Sequence, residues 1–382
     1  MALSRIQRMS RPGIVVPMAY DTLRNERTLV VGPRQATSNN IYHGLTSDFR
    51  TIGEAMRVIP LPPKKNYTDV DLRPGEDTWT ILVTPGVYYE EIRMKPNVLL
   101  VGIGQSATIF PPNGAWVSPE GPGGRRAVVY MNHNTSVSNL NFAKSARMKS
   151  TDYVFWNRDM YNVGLRLEGR DIQVPDVAYP ARTAERVLDA SGIAIKDVWV
   201  WPYGDKGKTL LLEGDWHTAL FTDFGSSYNE RDGYDIEVRC KHKNADCHFM
   251  NCFFDALFME EGPGGCMLIE DAFDVHVRGS LLRTNVTEAY YTAKNFDKAT
   301  SAYRPIPGSC VCIRDTDETS SASDVSPTYV FLENTSLEAP SFPAASRSAL
   351  QILGSRAKCS FRNSSADSFD GDISQLDRPA LS

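Results

Sequence analysis

The chain has no basic surplus: Lys and Arg number 41 against 46 Asp and Glu, a net charge of −5. The basic patch or stripe that marks a nucleic-acid binder is missing, so nucleic acid is not an expected partner. No apolar run reaches the roughly 18 residues of a membrane span. The stretch Met1–Gly13 is basic but lacks the apolar segment of a secretory signal, so synthesis in the cytoplasm is expected. Histidine is scarce, at 6 residues, and His217, His242, His248 and His276 show no metal spacing on a helix. The 7 cysteines are odd in number, and Cys240, Cys247, Cys252 and Cys266 lie inside apolar runs, where a thiol acts as a small buried hydrophobe. Cys310-Val311-Cys312 sets two thiols on one strand face, but a zinc site needs two further ligands nearby. Gly121-Pro122-Gly123-Gly124 and Gly262-Pro263-Gly264-Gly265 lack the Lys-Ser/Thr of a phosphate loop and read as turns. No metal and no cofactor are expected.

What the chain does contain is short strands broken by sharp turns. Ile81-Leu82-Val83 reads as one strand, Pro85-Gly86 as a turn, Tyr88–Met94 as a second strand and Val98–Val101 as a third, stopped by Gly102 and Gly104. Short strands recurring after every turn suit a chain that winds and stacks coil on coil. Upstream, Thr51-x-x-Glu54 is a capping box, and Ile52, Ala55, Met56 and Ile59 make one apolar stripe of a short helix that Pro60 stops. Such a helix covers the open end of a stack, which would otherwise pair with another chain.

The phrases Phe49-x-Thr51-Ile52-x-Glu54-Ala55, Pro85-Gly86-Val87-Tyr88-x-Glu90 and Leu100-Val101-Gly102-x-Gly104 resemble the opening of the pectin methylesterases and their pectin-lyase-like relatives. The likeness is specific over residues 49–110 and loose afterwards. It implies an all-β fold, a single-stranded right-handed parallel β-helix with a short N-terminal capping helix.

Further strands are expected at Ala127–Met131, Val137–Phe142, Val163–Leu167, Ile193–Val200, Leu210–Leu212, Ala219–Phe221, Ile236–Arg239, Cys247–Phe254, Met267–Ile269, Val275–Val277, Val311–Ile313, Tyr329–Leu332, Ala349–Leu353 and Lys358–Phe361. Asn139, Asn251 and Asn334 sit at or beside strand ends, as a stacked corner ladder or as ordinary turn residues. The expected layout is an extended, Pro-interrupted arm over 1–45, a β-helix with its capping helix and loop insertions over 46–365, and a tail over 366–382. The insertions 144–162, 284–309 and 315–326 are long enough to carry function. Trp199, Trp201, Tyr203 and Trp216 cluster in another long loop, as a stacking platform for sugar rings or as buried aromatics.

Pectin methylesterases use a nucleophilic carboxylate, a second carboxylate as acid/base, a glutamine pair at the oxyanion site and an arginine that orients the nucleophile. Phe249–Phe254 is similar to the strand before their Gln-Asp-Thr motif, and Cys266–Asp274 is similar to the strand leading into their nucleophile, which places that role on Asp274. The Gln-Asp-Thr itself is missing after Phe254, as is the downstream Gly-Arg-Pro-Trp; Arg278, Arg283 and Arg314 stand alone. The clusters Glu230/Asp232/Asp235 and Glu260/Glu261/Glu270/Asp271 offer the two carboxylates of a glycosidase.

Two readings follow. The first is a non-enzymatic β-helix for structure or adhesion, a virion component such as a spike, fibre or capsid-associated protein. It would be joined to other subunits of a particle through its arm, with a polysaccharide ligand and a homo-oligomeric state compatible with the pattern. The second is a carbohydrate-active enzyme, a pectinesterase-like esterase or polysaccharide depolymerase. Convergence of carboxylates and an arginine in one cleft would favour the second.

Overall fold

The computed structural model describes residues 27–32, 41–42, 45–61, 78–104, 107–158, 160, 166–167, 170–171, 192–203, 206–214, 219–228, 233–257, 264–285, 296–297, 302–303, 309–316, 327–339 and 348–377. They form a parallel β-helix. Each turn of the chain lays one strand on each of three sheets, and each strand pairs in parallel with those one turn before and after. The first sheet starts at Thr28–Val31 on Trp79–Val83 and ends at Lys358–Arg362 on Leu376–Asp377. The second runs from Gly86–Tyr89 to Ser365–Ala366, and the third from Ile92–Arg93 to Phe369–Asp370.

Register shows why these sequences wind. On the first sheet Leu29, Ile81, Leu100, Val137, Ile195, Phe221, Phe249, Val277, Leu332 and Phe361 fall in one column. The second sheet stacks Tyr88, Ile109, Phe142, Val200, Ser226, Phe254, Leu282 and Leu337, and the third stacks Ile92, Val129, Phe155, Leu210, Ile236, Met267, Val311 and Leu350. Most of these residues belong to one continuous buried core. Each fully buried aliphatic or aromatic side chain contributes about 1.5–3 kcal/mol, so the columns supply the main stabilisation. All seven cysteines are buried thiols outside any disulfide.

The corner between the first and second sheets is a repeated backbone device. Asn139, Asp197, Asp223, Asn251, Asn334 and Asn363 have φ of 60°, 52°, 51°, 54°, 50° and 45°, and Gly279 has 57°. Asn and Asp tolerate this left-handed region better than other side chains because they bond the local backbone. The registers of the flanking strands put these residues on successive coils. Gly102 heads the column, where a Cβ would lie 2.0 Å from the Asn139 carbonyl oxygen. Asn139, Asn251 and Asn334 are therefore members of one corner ladder. The corner also divides two segments expected as single strands: Ser136–Ser138 ends before Asn139 and Asn141–Lys144 begins after it, and Asn251 likewise separates Gly233–Met250 from Phe253–Leu257. Tyr88–Met94 is divided too, into Gly86–Tyr89 and Ile92–Arg93.

The cap ties the opening motifs together. Thr51 Oγ1 accepts from the Glu54 amide at 3.1 Å, while the Glu54 carboxylate accepts from the Thr51 amide at 3.2 Å. The Glu90 carboxylate accepts from the amides of Ile52 and Gly53 at 3.0 and 2.9 Å, so it closes the positive end of helix Ile52–Val58. Lys95 Nζ donates to the carbonyls of Ile59 and Arg57 at the other end. Thr51 and Glu54, neighbours on one turn, and Glu90, distant in sequence, meet at one helix end.

Both expected flanks contribute strands. Thr28–Val31, within the segment expected as an arm, pairs with Thr80–Val83. Phe369–Asp370 and Leu376–Asp377, within the expected tail, pair with Leu350–Gln351 and Cys359–Ser360. Of the expected strand Val163–Leu167, residues 163–165 lie outside the described residues, and Arg166–Leu167 pairs antiparallel with Arg170–Asp171, apart from the β-helix.

Candidate functional site

Outward-facing side chains of the second sheet make an aromatic strip. Tyr89 stacks on Phe110 on the next coil, with centroids 5.2 Å apart and planes at 29°. Phe110 meets Tyr203 at 5.6 Å. Tyr203 follows the strand Ile193–Pro202 and is turned by the bond from its amide to the Trp201 carbonyl, at 3.2 Å. Trp201 and Trp199 alternate outward on that strand, with ring centroids 5.5 Å apart, and Trp199 stacks on Phe253 at 5.6 Å and 19°. Arg283 closes the row, its guanidinium carbon 5.2 Å from the Phe253 centroid. Tyr203, Tyr89 and Trp201 remain 67%, 48% and 44% exposed, so ring surface faces solvent along the row.

Of the residues singled out in the sequence, Trp199 and Trp201 are in ring contact and Tyr203 follows them at the strand's end; Trp216 lies outside the described residues. Tyr89, Phe110 and Phe253 were not among the sequence candidates. Their signal is an aromatic at the outward position of an alternating strand, and it becomes a site only once register sets the coils side by side.

Behind the strip lies a buried ion pair. Lys144 Nζ is 2.7 Å from Asp235 Oδ1, with the two side chains 1% and 2% exposed. Lys144 also donates to the Ser227 carbonyl at 2.9 Å, and Asp235 accepts from Ser226 Oγ at 2.5 Å and from the Thr209 amide at 3.0 Å. The pair links Asn141–Lys144 to Ala219–Tyr228 from inside, across the strand that carries the tryptophans.

Asp274 lies elsewhere, at the corner between the third and first sheets, with φ 68°. Its Oδ1 accepts from His276 Nε2 at 2.7 Å, and His276 Nδ1 accepts from Arg278 at 3.1 Å. Arg278 also pairs with Glu333 at 2.8 Å. The His276 ring stacks between His248, at 4.6 Å, and Phe331, at 4.3 Å. Burial holds the His276 imidazole below its usual value, outweighing the pull of Asp274, while His248 and Arg278 act in the same direction as burial. Both ring nitrogens are engaged, so the ring has no free base. Among the described residues Asp274 meets neither a glutamine nor a second carboxylate, and the acyl-transfer constellation implied by the resemblance is not assembled there.

Among the described residues the acidic clusters show no glycosidase pair either. Asp235 is locked to Lys144, while Glu230, Asp232, Glu260 and Glu261 lie outside the described residues. Glu270 bonds Arg239 at 3.3 Å and also Arg314, and Asp271 accepts from the amide and hydroxyl of Thr316 at 2.7 and 2.6 Å. Glu237 pairs with Lys208 at 2.6 Å and Arg239 at 2.8 Å. Burial works to raise its carboxyl, but the two cations outweigh it and hold it below the usual range. A glycosidase acid needs the opposite shift. Arg278, Arg283 and Arg314 serve three different partners and do not converge. Among the described residues no group of three or more His, Cys, Asp or Glu is placed to hold a metal, and no helix is long and apolar enough to cross a membrane.

No family model and no curated protein matches the chain. Solved structures similar to it include pectin methylesterase PemA from Erwinia chrysanthemi, 13% identical over 91% of this chain and 93% of that one, with a TM-score of 0.36. Pectin methylesterase from Yersinia enterocolitica is 12% identical over 87% and 95%, at 0.29. The A-module of the Azotobacter vinelandii mannuronan C-5 epimerase AlgE6 is 13% identical over 79% and 87%, at 0.27. The assignment of this chain as a parallel β-helix rests on its own strand pairing.

Proposed function

We propose that the protein binds a glycan on the aromatic strip of its second sheet and does not transform it. The observation that carries this reading is the row of ring contacts Tyr89–Phe110–Tyr203 and Trp201–Trp199–Phe253, joined by the bond from the Tyr203 amide to the Trp201 carbonyl, with Tyr89, Trp201 and Tyr203 about half exposed or more. Aromatic faces take the apolar faces of sugar rings, and a rigid sheet holds them ready at little entropic cost. The described carboxylates Asp235, Glu237, Glu270, Asp271 and Asp274 are committed to internal partners, which speaks for binding over catalysis. A role in a particle finds no support in the described residues, because Leu29-Val30-Val31 of the expected docking arm pairs with its own chain.

The test is affinity electrophoresis through gels containing dextran, laminarin, polygalacturonate or alginate, for the wild type and the double variant Trp201→Ala/Tyr203→Ala. Retardation of the wild type by at least one polymer, lost in the variant, is expected. Equal mobility of both proteins in every gel would remove the reading. Methyl-ester release from a methylated uronan by the wild type would replace it with the enzymatic one.

A further inference from the structure

Two positions within the strip carry almost no side chain. Ala143 is in register with Trp201, and its coil lies between those of Phe110 and Trp201. It is only 1% exposed although it faces outward, and Phe110 reaches Tyr203 across its coil. Gly225 is in register with Trp199 on one side and Phe253 on the other. A Cβ there would lie 2.1, 2.2 and 3.0 Å from Cζ3, Cε3 and Cη2 of Trp199. The indole therefore occupies the space of the missing side chain and reaches Phe253, two coils from its own backbone. Gly225 is not among the residues with positive φ, so its backbone does not call for glycine; the neighbouring ring does. The Trp199 indole N–H is buried with no hydrogen-bond partner among the described residues, a cost of about 1–3 kcal/mol in such settings. Packing against the glycine and Phe253 is what holds the ring.

We infer that Gly225 is a positioning residue for the strip, and that the ligand is a linear polymer lying along the solenoid axis rather than a single sugar. The second half rests on the glycan reading above. From Gly86–Tyr89 to Phe253–Leu257 the second sheet makes five strand steps, about 24 Å at the usual strand spacing. Without the gap at Gly225 the row would stop at Trp199, and Phe253 with its Arg283 neighbour would be a separate patch.

The experiment is a double-mutant cycle of Gly225→Ala and Trp199→Ala, read by thermal unfolding and tryptophan emission, with affinity measured for oligosaccharides of increasing length cut from the polymer that retards the wild type. In the wild-type background Gly225→Ala should lower the melting temperature and shift the emission to the red. In the Trp199→Ala background the same change should be neutral or stabilising, since alanine then only restricts the unfolded chain. Wild-type affinity should rise with chain length. Gly225→Ala should keep the short-oligomer affinity and lose about tenfold for the longest, as when one packed aromatic contact is removed. Additive effects in the cycle would overturn the positioning role whatever the ligand. Affinity independent of length, or no retarding polymer at all, would overturn the polymer half while the cycle still judges Gly225.

Discussion

The aromatic strip of the second sheet and the Asp274–His276–Arg278 patch at the first sheet are both built from side chains that commonly make sites, yet they differ in what they leave available. In the patch every strong group answers another: Asp274 accepts a hydrogen bond from His276, His276 accepts from Arg278, and Arg278 turns to Glu333. In the strip the rings touch edge to edge or face to face and still show solvent 44–67% of the surface of Trp201, Tyr89 and Tyr203. Likeness to the strand before the pectin methylesterase nucleophile nominated Asp274. Availability selects the strip.

The sharpest way to break the comparison is from behind the strip. Asp235→Ala leaves Lys144 charged and buried without its partner, and losing one member of such a pair costs about 3–5 kcal/mol. Chemical denaturation should show that loss, and polymer retardation should weaken with it because the strands under the tryptophans lose their internal tie. A loss below about 1 kcal/mol would mean that solvent reaches the pair.

Next in size is the strip itself. Trp201→Ala alone should reduce affinity for the retarding polymer by about tenfold with little change in melting temperature, since the ring is 44% exposed. Titration by tryptophan emission or calorimetry measures it. Affinity unchanged by this substitution would move the binding surface elsewhere.

The patch should respond to acid where the strip does not. His276 is held neutral in the folded chain by burial, whereas an unfolded imidazole titrates near 6.5. A lowered folded value means that the unfolded state takes up more protons below that pH. The stability contributed is whole above about pH 6.5 and lost as pH falls through the folded value. The melting temperature of the wild type should therefore fall more steeply between pH 7 and 5 than that of His276→Phe, whose ring preserves the stack on Phe331. Parallel curves would show that the folded and unfolded values of His276 do not differ.

Smallest of all is Asp274→Asn. It removes a charge-assisted bond at a side chain 30% exposed, worth about 1 kcal/mol, and should leave polymer binding as it was. Loss of binding or of a hydrolytic activity in this variant would restore Asp274 as a functional residue.

The parts of this molecule legible in the sequence are those whose physics is local. Thr51 and Glu54 lie within one helical turn, so the capping box could be read directly, and a chain winding coil on coil followed from short strands separated by turns, with the parallel β-helix implied by the resemblance of the opening motifs. Glu90 could be matched to a motif, but its reason, the amides of Ile52 and Gly53, lies 37–38 residues upstream. Asn139, Asn251 and Asn334 were visible at strand ends, yet the column that unites them also contains Asp197, Asp223, Gly279 and Asn363 and exists only in three dimensions. The same limit applied to the strip. Trp199, Trp201 and Tyr203 stand together in sequence, whereas Phe253 and Gly225 join them through parallel register, which no local pattern sets.

Parallel register also makes the second sheet a ruler. The positions available to the strip's rings are fixed by main-chain hydrogen bonding and advance in increments of about 4.8 Å. A polymer whose own repeat is commensurate with that increment meets the same contact again at each step, whereas one with a different repeat drifts out of phase after a few units. Discrimination between two chemically similar chains then arises from periodicity, with no pocket for any one of their groups.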